Sequence, residues 1–241
     1  MILAALFAAT FAATPTIAGP PFLTDDPEPT EQGHWEIYAP LMEVSGKGSA
    51  YEGSIGTEIN YGATRDVQVT LGLPVAFAHD GTRTQWGATD VALSVKYRFY
   101  HDEGAGLSIA AFPGLTLPTA KAAFGNGRVS AFLPVWAQKD LGAWTVFGGG
   151  GYAINPGEGN QNYWTGGIAV SRQIAPNLLI GVEADREGAS TIEGAGATSL
   201  GLGAILSLHA PFRVLASGGP TFVDGGGSPG FHAFAAVGLD F

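Results

Sequence analysis

The stretch that decides the fold is "TDVALSVKYRFYHDEGAG", residues 89–106. Val91, Leu93, Val95, Tyr97 and Phe99 take alternate positions, and Asp90, Ser94, Lys96 and Arg98 lie between them. A period of two sends the two sets to opposite faces of an extended strand. A soluble sheet would turn the charged set to water. Composition argues the reverse: charged residues are 13% of the 241-residue chain and the hydrophobic set is 46%, where soluble domains carry about 25% charge.

Outward from this stretch the same alternation recurs. It predicts strands over 34–41, 53–61, 67–77, 90–100, 107–117, 128–139, 144–154, 163–173, 179–187, 198–208, 212–220 and 230–241. Most match the roughly 9 to 11 residues of a tilted membrane strand rather than the five or six common in soluble sheets. With these boundaries the connections run 11, 5, 12, 6, 10, 4, 8, 5, 10, 3 and 9 residues. Long and short alternate, as in an outer-membrane barrel with tight periplasmic turns and longer outer loops. The expectation is an all-β fold, a twelve-stranded antiparallel up-and-down transmembrane barrel over 34–241.

One face of these strands is apolar: Trp35, Ile37 and Leu41, then Ile55, Ile59 and Tyr61, continuing through Leu93 and Val95 to Val237, Leu239 and Phe241. Arg172 and Arg186 follow its phase only at strand ends, where long side chains reach headgroups. The other face carries Glu36, Glu58, Gln68, Asp90, Lys96, Arg98, Glu183 and Asp185. A Lys or Arg on the lipid face at the bilayer midplane costs about 2 to 4 kcal/mol. The apolar face therefore meets lipid, and Glu36, Glu58, Lys96, Arg98, Glu183 and Asp185 are expected to line the lumen. Two ladder spacings, roughly 10 Å, separate the second strand from the fourth, so Lys96 or Arg98 is expected to reach Glu58. Such a cluster serves either as a salt-bridge network filling the barrel or as a solute-selecting constriction. Aromatic girdles are expected at Tyr61, Tyr97, Phe99 and Trp144 on one rim, and at Phe77, Tyr152 and Trp164 on the other.

The start, "MILAALFAATFAATPTIAGPPF", reads as a signal peptide over 1–18, cleaved after Ala18, although no Lys or Arg precedes its apolar run. Residues 19–33 hold four prolines and four carboxylates, which excludes a core strand or helix. They are either a lead-in or a partial plug, whose Asp25, Asp26 and Glu28 would meet basic side chains in the lumen. The terminal Phe241, with apolar residues two, four and six positions before it, resembles the C-terminal signal read by the barrel-assembly machinery.

Other chemistry is sparse. A net charge of −10 and no basic stripe argue against nucleic acid. Zero cysteines exclude disulfides and thiolate metal sites. "GGGG" at 148–151 is followed by Tyr152 rather than Lys and Ser or Thr, so it is a close-packing seam and not a phosphate loop. The five histidines, His34, His79, His101, His209 and His232, show no metal-ligand spacing, and no catalytic residue is expected.

The stretches "GPPFLTDDPEPTEQGHWEIY" (19–38), "EINYGATRDVQVTLGLPVAF" (58–77), "GATDVALSVKYRFY" (87–100), "LTLPTAKAAFGNGR" (115–128) and "FLPVWAQKDLGAWTVFGGGGYAINPGEGNQNYW" (132–164) carry a further signal. The chain resembles the outer-membrane proteins of the phenol-degradation MetA-pathway family, described as transporters. The resemblance implies a Gram-negative outer membrane and a barrel, supplies no catalytic residue, and ties the cargo to phenol only by pathway; no cofactor is expected. The expected role is passive diffusion of small apolar or aromatic solutes through a narrow channel. The alternatives are a membrane enzyme acting on lipid, a structural barrel with a closed lumen, and a soluble ligand-binding barrel.

Overall fold

The computed structural model describes residues 21–120 and 124–241. The signal-peptide expectation for 1–18 lies outside the described residues. Twelve antiparallel strands close into one barrel. They are β1 (Trp35–Lys47), β2 (Ala50–Thr64), β3 (Val67–His79), β4 (Thr84–Ala88 and Val91–Asp102), β5 (Leu107–Ala111 and Gly114–Leu117) and β6 (Ser130–Leu141). The circuit continues through β7 (Trp144–Ile154), β8 (Tyr163–Ala175), β9 (Leu178–Glu187), β10 (Ala197–Ser207), β11 (Phe212–Val223) and β12 (Gly230–Asp240). Each strand pairs with its sequence neighbours, and β1 also pairs with β12, so no open edge remains. At that seam Trp35 and Phe241 exchange backbone hydrogen bonds of 3.0 and 2.9 Å.

Two strands are interrupted. Both pieces of β4 pair with β3, through Val75–His79 and then Val67–Gly72. The gap falls at Thr89–Asp90, where both side chains bind the connection between β5 and β6. In β5 it falls at Phe112–Pro113, since proline has no N–H for the ladder.

The twelve expected strands are all present, but one expected connection is not. Eleven residues were expected between β1 and β2; the structure has a two-residue turn at Gly48–Ser49. The alternation of "LMEVSGK" and "AYEGSI" lets both strands run on, and Gly48 supplies the positive φ (64°) that reverses the chain. The other connections at that rim span 80–83, 118–129, 155–162, 188–196 and 224–229, and those at the opposite rim 65–66, 103–106, 142–143, 176–177 and 208–211. The long-and-short contrast therefore holds from β5 onward. Both ends of the barrel chain lie at the short-turn rim.

The orientation inferred from the opening stretch holds. Leu93 and Val95 are 41% and 42% exposed on the outer surface, whereas Lys96 is 4% exposed inside. Outside lies a continuous skin of Val69, Leu73, Leu133, Ile168, Val182 and Leu202. Inside are Asn60, Gln68, Thr70, Ser94, Ser171 and Glu183, all buried polar groups. Aromatic pairs mark both rims: Trp35 with Tyr61, Tyr97 with Phe99, and Tyr152 with Trp164. Phe77 is not an open girdle residue, because Tyr51 and Trp86 cover it at 6.3 and 4.9 Å between ring centroids. Leu41 is a second correction. A register shift between Tyr38 and Leu41 turns it inward, onto the cluster of Tyr38, Leu215 and Ala236. An extra residue in one strand reverses the facing of all that follow.

Candidate functional site

Residues 21–33 occupy the barrel interior. Their partners lie on β1, β3, β4, β9 and β11, and only a segment within the closed wall can touch all five. The segment has no ladder of its own beyond a single parallel bridge from Gln32 to Gly62. Pro21, Pro27 and Pro29 deny it one. Side chains of the wall hold it instead.

Its first part is held by Glu183, whose two carboxylate oxygens accept the backbone N–H groups of Leu23 and Thr24, both at 3.1 Å. Ser217 donates its hydroxyl to the Pro21 carbonyl. Phe22 packs against Phe147 and Ala169. The wall opposite Phe22 is bare: a Cβ at Gly181 or at Gly203 would lie 2.7 Å from its ring.

The second part is held by charge. Lys96 donates to Asp25 at 3.1 Å and faces Asp26 at 3.7 Å. Its ammonium also lies 4.8 Å from the centre of the Phe112 ring, a cation–π contact. Arg98 pairs with Glu28 on the segment and with Asp66 at 2.8 Å in the turn between β2 and β3. Thr30 donates its N–H to Gln68 at 2.7 Å. Gln68 in turn belongs to a buried amide–hydroxyl network with Asn60 and Thr70.

The expected partnership of Lys96 or Arg98 with Glu58 does not form. The ladder places Glu58 opposite Gly72 and Gly72 opposite Ala92. Lys96 is four residues further along β4, roughly 13 Å away along the strand. Barrel stagger defeats a count made from strand ends. Glu58 accepts instead from the Asn60 amide at 2.9 Å. Glu36 pairs with Arg213, accepts from the Tyr38 hydroxyl, and meets the Thr30 hydroxyl at 3.2 Å. Asp185 lies on the inward face of β9 with Glu183, beside Gly167.

Sequence reasoning placed Gln68 inside but missed Arg213, Asp66 and the network that Gln68 forms with Asn60 and Thr70. Arg213 stands on the inward phase of β11 beside Leu215 and Ser217, and that phase was the available signal. The outer loops also turn inward: Thr89 donates to the Phe124 carbonyl at 2.8 Å, and Asp90 accepts the N–H groups of Ala120 and Asn126. Asn126, Asn155 and Asn160 tie two of these loops together, and Asn155 also donates to the Ser190 carbonyl of a third.

A closed barrel with an apolar outside, a polar inside and an internal segment is the architecture of outer-membrane β-barrels. Solved structures agree. The chain is similar to an outer membrane channel from Pseudomonas putida F1, with 17% identity and a TM-score of 0.66 over 90% of this chain and 98% of that one. It is also similar to the translocator domain of the autotransporter NalP from Neisseria meningitidis, with 13% identity and a TM-score of 0.52 over 87% and 88%. These likenesses establish the fold. No protein-family model and no curated protein matches the chain.

Proposed function

We propose that the chain is a narrow channel of the Gram-negative outer membrane, passing small apolar or aromatic solutes by passive diffusion, with residues 21–33 as a plug. The observation that carries this reading is the manner in which the segment is held. Its only ladder contact is one bridge, so it can leave the lumen without breaking the wall. Buried aromatic side chains on the inner face, Phe112, Trp136, Phe147 and Tyr163, offer apolar contact within a polar lining. Twelve strands enclose a lumen narrower than that of 16-stranded porins, which suits small solutes. The likeness to an outer membrane channel agrees with this role. Glu36, Glu58, Lys96, Arg98, Glu183 and Asp185 are assigned to the lining, with Lys96, Arg98 and Glu183 gripping the plug.

The test compares the mature chain with one lacking residues 21–33, in planar bilayers and in liposomes loaded against a panel of aromatic and aliphatic solutes. Larger conductance and faster uptake after deletion are expected. Unchanged conductance removes the plug assignment, and no passage of any solute by either chain removes the channel.

A further inference from the structure

Between residues 25–34 and the wall of β1 to β4 and β10 to β12 lies a cavity of about 360 Å³ that reaches the short-turn rim at His34, Trp35 and Asp240. Its charge does not balance. Asp25, Asp26, Glu28 and Glu31 line it from the segment, and Glu36, Glu58 and Asp240 from the wall. Lys96 and Arg213 are the lining residues that carry a fixed positive charge, and His34 stands at the rim. Crediting Arg98, which reaches Glu28, as a third cation leaves four of the seven carboxylates in excess with His34 neutral. Arg213 is already shared between Glu36 and Asp240, and Lys96 between Asp25 and Asp26.

Enclosed negative charge without a partner is strongly unfavourable and is relieved by taking up a proton or by a counter-cation. A second observation marks where one is missing. Asp25 is 0% exposed, and its Oδ2 has no hydrogen-bond partner among the described residues. The carboxylates are spread along the cavity rather than gathered. No group of three acidic or histidine side chains among the described residues is close enough to hold a metal ion. Spread carboxylates suit an elongated cation with charge at more than one point.

We infer that this cavity binds small aliphatic di- and polyamines, one ammonium directed to Asp25 and Glu58 and another to Glu36 and Asp240. The test is calorimetric titration of the full mature chain in detergent with putrescine, spermidine, the neutral diol of putrescine's chain length, and magnesium. Both amines bind and the diol does not. Glu58→Gln, which removes no hydrogen bond to the segment, weakens amine binding by about tenfold, or 1.4 kcal/mol. Glu193→Gln in the 188–196 loop leaves it unchanged. Absence of amine binding overturns the inference, as does magnesium binding as tightly as putrescine, or equal affinity in Glu58→Gln. The readout is equilibrium binding, so its failure is separate from any failure of the channel assignment, which conductance without amine tests alone.

Discussion

Lys96 carries three duties at one ammonium group: it neutralises Asp25, faces Asp26, and rests on the Phe112 ring. Removing one member of a buried ion pair costs about 3 to 5 kcal/mol, because the other charge is stranded. Lys96→Met is therefore expected to unseat residues 21–33 while the wall survives, read as new protease cleavage within the segment and unchanged heat-modifiable migration of the barrel. Gly203→Leu is expected to do the same by steric means, since a Cβ there lies 2.7 Å from the Phe22 ring while the wall atom nearest to it, Ser217 Cβ, is at 3.1 Å. Cleavage in neither variant would mean that the grip on the segment lies elsewhere. Asp80 behaves differently, at the exposed tip of the β3–β4 connection. Its carboxylate accepts from the Thr82 hydroxyl and the N–H groups of Thr82 and Arg83, which lower its pKa from 3.8 to about 2. A depressed folded-state pKa gives support that is fully present above the unfolded value and lost as pH falls through the folded one. The turn is thus expected to hold at pH 5 and loosen only between about 4 and 2, as followed by hydrogen exchange at Thr82.

At the scale of single strands, β4 gives a direct test of facing. Leu93→Arg puts a cation on the lipid side and is expected to destabilise the barrel by about 2 to 4 kcal/mol in denaturant titration in lipid. An arginine at Ala88, opposite Val75 on the same outer face but nearer the long-loop rim, is expected to cost far less, because the penalty fades toward the interface. Strand existence and facing were legible because alternation is local: Val91 through Phe99 announce one face unaided. The facing of Leu41 was missed although Pro40 signals a break in the ladder; that the break adds one residue, and so reverses the facing beyond it, is fixed only by the register with β2 and β12. The partner of Lys96 was hidden for a related reason. Stagger between neighbouring strands is a property of the closed wall, and no window of sequence contains it. Glu183 could be assigned to the interior by its phase, but its bonds to Leu23 and Thr24, 160 and 159 positions away, could not.

At the scale of the whole molecule, closure depends on the β1–β12 seam. Phe241 donates to and accepts from Trp35 there. Deleting Phe241 removes both bonds and the proposed docking signal for the assembly machinery. Folding in detergent is expected to weaken slightly, and delivery to the outer membrane in cells to fall sharply. Equal delivery with and without Phe241 would remove that assignment.

The seat of residues 21–24 has one more consequence, concerning time. Their anchors on β9 and β11 stand 159 to 196 positions later in the chain. Contacts so remote form only after long loops have closed. A stretch made before any strand of the wall is therefore among the last to come to rest, and a polypeptide cut short before β9 would have no seat for it.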